Sequence, residues 1–443
     1  MPNATGSDIT KAGDYVIDKL ILHSEVTGTS VNIRALFSRM EIYEDMFSPY
    51  MTAKIYMNDG LNIAENLPIR GQETLELSFR TDFEGMEAIQ KTFKIYKIDQ
   101  QIIDENGRGQ QYVLHLISEG GYFNYSEYCG YSVKGTVSSM VGEVFKKHFP
   151  EYLWKDTLYV QPTADNFVYV LPRSYTPFKA ITWLARRAVC GIGDDYSPFF
   201  FYETVEGYRF RSLSSLMDDG QATKNIYYYM NNNVNKNPET NEGSGIKTKA
   251  NLPSMYNRIQ SLEEKERFDM VENIGSGVVS SILTVHDLLH KEKRDTIFRE
   301  VDVFENSKKM GTAPHYIRVK GSNEFFDKSS CTYSYLPFTP YTVHTNDNNI
   351  IDNTRIEEYF LKRKYMINTM MTQKVLVGIY GDSNKRVGQL MEINVPKIAA
   401  DGHLSEEKDD KNLSGDYMIT SIRHEIGDKY MCMVELSRNA KGL

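Results

Sequence analysis

The strongest constraint in this sequence is a period-two alternation of apolar and polar residues that recurs at two places far apart in the chain. Met51, Ala53, Ile55 and Met57 alternate with Thr52, Lys54 and Tyr56 before the turn residues Asn58-Asp59-Gly60. Leu75, Leu77 and Phe79 alternate with Glu76 and Ser78. Such alternation sets one face of a strand on a core and the other toward solvent or a partner. Phe93–Ile103 and Gln111–Ser118 flank Asp104-Glu105-Asn106-Gly107. Asn-Gly tolerates the positive φ of a tight turn, so this segment reads as a hairpin. The pattern then returns. Gly71-Gln72 precedes Leu75-Glu76-Leu77, and Gly388-Gln389 precedes Met391-Glu392-Ile393, one residue out of register. Phe93-x-Ile95-x-x-Ile98 is echoed by Tyr417-x-Ile419-x-x-Ile422, and a hairpin partner follows each. The reading is two similar β domains, at a spacing far too long for a solenoid. Chance matching of strand patterns is the alternative.

A length of 443 residues predicts about three domains. Residues 1–12 read as a flexible tail, and 13–118 as a first β-barrel-like domain. From 119 the period changes. Val137, Met140, Val141, Val144, Phe145 and Phe149 form a helical stripe ended by Pro150. A second helix opens at Thr176-Pro177, with Phe178, Ile181, Leu184, Ala185 and Ala188 as its buried face and Gly191 at its end. A hairpin, Phe199–Glu203 and Tyr208–Arg211, turns at Val205-Glu206-Gly207. Residues 119–215 thus read as an α+β middle domain. Residues 216–254 read as a linker containing the Asn-rich loop 231–252, which lacks any period. Residues 255–443 read as a second β-barrel-like domain with a poorly matched insertion around 300–372. A helix there begins at Thr354 in a capping box, with Ile356, Tyr359, Phe360 and Ile367 as its apolar face. Strands are expected at Lys374–Ile379, Gln389–Val395, Asp416–Glu425 and Lys429–Leu436, with 397–413 as a polar loop. The fold class is mainly β (α+β): two similar β-barrel-like domains with an α+β domain inserted between them.

Composition limits what such a chain does. Aromatic residues make up 12%, which excludes intrinsic disorder. Lys and Arg total 51 against 59 Asp and Glu, a net charge of −8, so the overall basic excess of a phosphate-gripping protein is missing. No signal peptide or membrane span is visible. Cys129, Cys190, Cys331 and Cys432 are widely separated, with no C-x-x-C for zinc or redox work. His286 and His290 would share a helix face as metal ligands, but Ser281–Val285 reads as a strand. A strand would hold them roughly 13 Å apart. His424-Glu425 begins like a zincin motif yet lacks the second His, and Gly243–Thr248 departs from a phosphate loop. No catalytic, cofactor or metal residue is nominated, and the thirty tyrosines fit protein interfaces.

The residues resemble a family at this point: the central baseplate hub proteins of contractile phage tails, whose fold also forms the N-terminal half of type VI secretion spike proteins. The likeness runs through Met40-Glu-Ile-Tyr-Glu-Asp45-Met-Phe47, Asn58-Asp59-Gly60 and Leu67-Pro68-Ile-Arg-Gly71-Gln-Glu73. It returns at Tyr175-Thr176-Pro177-Phe178-Lys179-Ala180-Ile181, at Gly415-Asp-Tyr417-x-Ile419-x-x-Ile422-x-His424, and at Tyr430–Leu436. The resemblance implies a homotrimer whose paired β domains form a pseudo-sixfold ring. Such a ring adapts a hexameric tail tube, or tube-initiator proteins, to a trimeric cell-puncturing spike. It also implies wedge proteins of the baseplate as further partners, a channel that DNA passes without being bound, no cofactor and no membrane. The location implied is the virion tail, assembled in the host cytoplasm. A bore without a basic lining would let DNA slide, which is one use for the −8 balance; ordinary solubility is the other. Two alternatives stay open: the hub of a contractile injection particle, and a tail-associated hydrolase of cell-wall glycan.

Overall fold

The computed structural model describes residues 12–63, 67, 69–81, 86–103, 109–191, 197–229, 256–288, 291–316, 331–336, 356–370, 372–398 and 404–440. The 1–12 tail apart from Ala12, the 104–107 turn, the 231–252 loop, Gly243–Thr248, His290 and Thr354 lie outside these residues.

Seven strands form the first module: β1 (Tyr15–His23), β2 (Ser30–Asn32), β3 (Phe37–Asp45), β4 (Thr52–Asp59), β5 (Thr74–Thr81), β6 (Ile89–Ile103) and β7 (Gln110–Ser118). Their order is β2-β1-β5-β6-β7-β4-β3. The alternating apolar residues point inward, so Met51, Ala53, Ile55, Met57, Leu75, Leu77 and Phe79 are all buried. The sheet curls until Ile33, between β2 and β3, donates its N–H to Leu20 O at 3.0 Å. The two edges are thereby bridged by a loop.

The middle segment holds α1 (Glu119–Asn124), β8 (Ser132–Gly135), α2 (Val137–His148), β9 (Leu158–Val160), β10 (Thr163–Ala164), β11 (Phe167–Val170), α3 (Pro177–Ala185), β12 (Val189–Cys190), β13 (Phe199–Thr204), β14 (Gly207–Ser212) and α4 (Leu213–Thr223). The stripe expected on α2 is buried, and the Thr136 side chain caps it by accepting Ser139 N–H at 3.2 Å. Phe145 packs between Phe178, Phe201 and Tyr208, with ring centroids 5.2–6.0 Å away. At α3 the details differ from the sequence reading. Thr176 makes no side-chain cap; instead the Asn124 side chain accepts Phe178 N–H at 2.8 Å. The helix stops at Ala185, and Gly191 follows β12, which pairs with β10. The linker expected from 216 is also corrected. α4 continues to Thr223, and Gly220 sits so close to Leu390 that an added Cβ would lie 2.4 Å from its Cγ. Gly220, inside the expected linker, is a packing contact.

The second module comprises β15 (Asn225–Tyr229), β16 (Arg258–Glu266), α5 (Met270–Gly275), β17 (Ser280–Asp287), β18 (Glu292–Arg299), α6 (Glu300–Val303), β19 (Cys331–Tyr335), α7 (Ile356–Thr369), β20 (Gln373–Tyr380), β21 (Leu390–Asn394), β22 (Pro396–Ile398), β23 (Leu404–Asp409), β24 (Gly415–Ile426) and β25 (Tyr430–Arg438). The polar segment 397–413 is therefore not all loop, because β22 and β23 pair as a ribbon. His286 lies on β17 opposite Lys293 of β18, on a strand as expected. Strands β15, β21, β24, β25, β20 and β16 hydrogen-bond in a closed ring.

The two modules are copies in connectivity. β3, β4, β5, β6 and β7 correspond to β16, β20, β21, β24 and β25, with the same neighbours in the same order. Leu75 lies opposite Phe93, and Met391 opposite Tyr417. Ile95 and Ile98 face Leu116 and Leu114 across a bulge at Tyr96, as Ile419 and Ile422 face Leu436 and Val434 across a bulge at Thr420. Glu73 accepts Arg70 N–H at 2.9 Å and Gln389 accepts Arg386 N–H at 3.2 Å, each bond spanning three residues. The first strand breaks the match. β1 is antiparallel to β5, whereas β15 runs parallel to β21.

Glu203 of β13 ties the middle segment to the first module. Its buried carboxylate accepts Met51 N–H at 2.9 Å and the Ser118 hydroxyl at 2.5 Å, and it pairs with Lys91 Nζ at 2.7 Å. Removing one member of a buried ion pair leaves the other uncompensated. Glu203→Ala should therefore lower unfolding stability by about 3–5 kcal/mol. Chemical denaturation checks this, and a loss below about 1 kcal/mol would show that water replaces the carboxylate.

Candidate assembly surface

The sheets of the two modules are joined by one strand that changes its partner on one side halfway. Gly415–Met418 of β24 pair with β21, whereas Ser421–Ile426 pair with Met40–Asp45 of β3. The Thr420 bulge lies between the two halves; beyond it Ser421–Ile426 stay paired with β25 while their other edge passes from β21 to β3. Met46, the residue after β3, donates its N–H to Thr420 O at 2.9 Å, and both side chains are buried. Eight strands consequently run side by side across both modules, in the order β6-β7-β4-β3-β24-β25-β20-β16.

One face of this run packs on the two cores. The opposite face is polar around the joint, where alternation along β3 sends Met40 and Ile42 inward and sets Arg39, Tyr43 and the largely covered Glu41 on the other side, and it carries Leu376, Met431 and Met433 farther along. Cross-strand pairs organise the charges there. Lys54 is opposite Glu41 and His115, and Glu41 is opposite Glu425. Arg39 bridges Glu41 and Glu425, Arg423 reaches Glu425 at 3.4 Å, and Lys97 bonds Asp99 at 2.6 Å. The Lys97 hydrogen bond holds the exposed Asp99 carboxyl below its ordinary value. Both signs are interleaved, with no basic stripe among these residues.

Glu44 and His424 are fully buried at the joint. Glu44 accepts N–H groups from Val205 at 3.2 Å and Val387 at 3.4 Å, so it gathers the middle segment and the β21 approach onto β3. His424 Nδ1 lies 2.7 Å from the Tyr430 hydroxyl. Burial pushes the Glu44 carboxyl up to about 7, against the opposing pull of Arg386. Burial, helped by Arg386, pushes the His424 imidazole down to about 3. With the imidazole neutral, its 4.0 Å approach to Glu44 is neither an ion pair nor a hydrogen bond.

A second buried cluster has the residue types of a catalytic site. His315 Nδ1 is 3.1 Å from Glu300, its Nε2 is 3.1 Å from the Thr372 hydroxyl, and Tyr365 donates to Glu300 at 3.1 Å. Glu300 and His315 are 0% exposed, so a polymer substrate has no approach to them. None of these groups had been singled out from sequence, since the chain separates them widely and each has an ordinary neighbourhood.

The two joint groups depend on pH with opposite sign. Glu44, raised above its unfolded value, is still protonated in the folded chain where the unfolded chain has lost the proton. It withdraws stability as pH climbs from about 4.5 to about 7. His424, depressed, gives up stability as pH falls from about 6.5 toward 3. His424→Asn should therefore lose less stability than the parent between pH 6.5 and 4 in urea titrations. Equal losses would mean that the imidazole is not kept neutral by the fold.

No family model matches the chain, and no curated protein does. Solved structures do. The tail protein from Neisseria meningitidis MC58 superposes with a TM-score of 0.53 at 10% identity, over 97% of this chain and 98% of that one. The 43 kDa tail protein of prophage MuSo2 from Shewanella oneidensis gives 0.50 at 9% identity, over 95% and 98%. Both similarities span the two modules and the middle segment together. The chain thus has the mainly β fold of phage tail proteins, as the resemblance to baseplate hubs implied.

Proposed function

We propose that this chain is a structural hub of a phage tail, in which three copies close into a ring of six β modules. The observation that carries this reading is the joint between β3 and β24. It already connects one module to its duplicate edge to edge within a single chain. The equivalent edges at the two ends of the eight-strand run, Lys97–Ile102 of β6 and Ser261–Glu266 of β16, have no strand partner on their outer side among the described residues. Repeating the same joint between copies pairs these edges, and closed symmetry removes them as sites of open aggregation.

Two duplicated modules per chain suit a position between a sixfold tail tube and a threefold spike. A channel bounded by the polar face of the shared sheet would meet DNA with interleaved charges, leaving few released counterions to hold a phosphate backbone. Each role in this reading is mechanical: holding the tube, seating the spike and letting the genome pass. The likeness to two tail proteins over nearly their whole lengths supports a place in the virion.

Light scattering after size exclusion tests the ring. A chain of 51.0 kDa should elute as a species of roughly 150 kDa. A species that stays at one chain's mass, both alone and with a spike protein added, would overturn it.

A further inference from the structure

We propose that a tyrosine cleft beside the free edge of β6 receives the apolar segment Phe268–Val271 of a second copy of this chain. The inference rests on the ring reading and names the contact that would hold it. The cleft measures about 550 Å³ and is lined by Tyr50, Thr52, Tyr96, Ile117, Tyr122 and Tyr125. The Tyr50 and Tyr125 hydroxyls bond at 2.8 Å, and Tyr122 donates to Gly71 O at 3.1 Å, so its walls are held in place.

The internal repeat identifies the occupant. Tyr96 is the bulged residue of β6 and the counterpart of Thr420 in β24. At Thr420 the place is taken, because Met46, just after β3, bonds its carbonyl and is 1% exposed. At Tyr96 the side chain is 50% exposed. The counterpart of the segment after β3 is the segment after β16, which carries Phe268 at 53% and Val271 at 82% exposure. An aliphatic side chain that exposed, at the start of α5, leaves most of its apolar surface outside the core of its own chain. β16 and β6 stand at opposite ends of the eight-strand run, so the segment and the cleft belong to different copies when they meet. Tyrosine walls around an apolar knob are the composition of an interface anchor.

Disulfide trapping in the full chain tests this. Tyr96→Cys and Val271→Cys are made as separate variants, mixed, and oxidised. The expected product is a covalent dimer from the mixture and none from either variant alone. Val271→Asp, at a site too exposed to disturb folding, should weaken self-association at least tenfold with an unchanged circular-dichroism spectrum. An assembly of three chains by mass that gives no cross-link and tolerates Val271→Asp would overturn the contact while leaving the ring standing. A chain that never associates would overturn both.

Discussion

The architecture depends on a single change of partner along β24. A regular strand keeps one neighbour on each side, so a barrel built from regular strands is closed to its surroundings. The extra residue at Thr420 breaks that regularity, and beyond it one edge of Ser421–Ile426 passes to β3. The continuous sheet, the buried Glu44 and His424, and the polar face where Arg39 reaches Glu425 follow from it, while Thr81 bonded to Gly381 and Phe79 packed on Tyr430 add further contacts between the modules. Backbone hydrogen bonds carry the joint, and such bonds are indifferent to side-chain identity. A joint of this kind allows a fold to be shared at 10% identity with the Neisseria meningitidis tail protein.

The joint is also where the chain tolerates polar groups that a core would reject. Glu44 is kept because it accepts backbone N–H groups arriving from two other elements, Val205 and Val387. Without an acceptor, those donors would be left unsatisfied at considerable cost. Glu203 plays the same part between the middle segment and the first module. In both places a buried carboxylate ties irregular backbone to a strand end, where no ladder reaches.

Much of this was legible because bulges leave a mark in sequence. The spacing Phe93-x-Ile95-x-x-Ile98 is two residues and then three, and the lengthened step is the bulge itself. Its recurrence at Tyr417, Ile419 and Ile422 exposed the duplication, while the alternation at Met51–Met57 and Leu75–Phe79 gave the inward face. The linker reading from 216 failed because Ser214, Ser215, Asp218 and Gly220 are loop-like in composition. Their helix exists through Leu213, Leu216 and Met217, which are buried, and through the contact with Leu390. The joint was illegible for a different reason. Glu44 and His424 are brought together by strand pairing, and nothing in the local pattern of either shows which remote strand it will meet.

The partner change of β24 has a mechanical consequence. A single covalent strand pairs with both modules, so a twist given to one is delivered to the other through backbone as well as through packing such as Phe79 on Tyr430. Pulling the modules apart along the strand loads the ladder between Ser421–Ile426 and Met40–Asp45 in shear, with its bonds sharing the force together. Peeling would break them one at a time. The joint therefore resists separation along the strands better than separation across them.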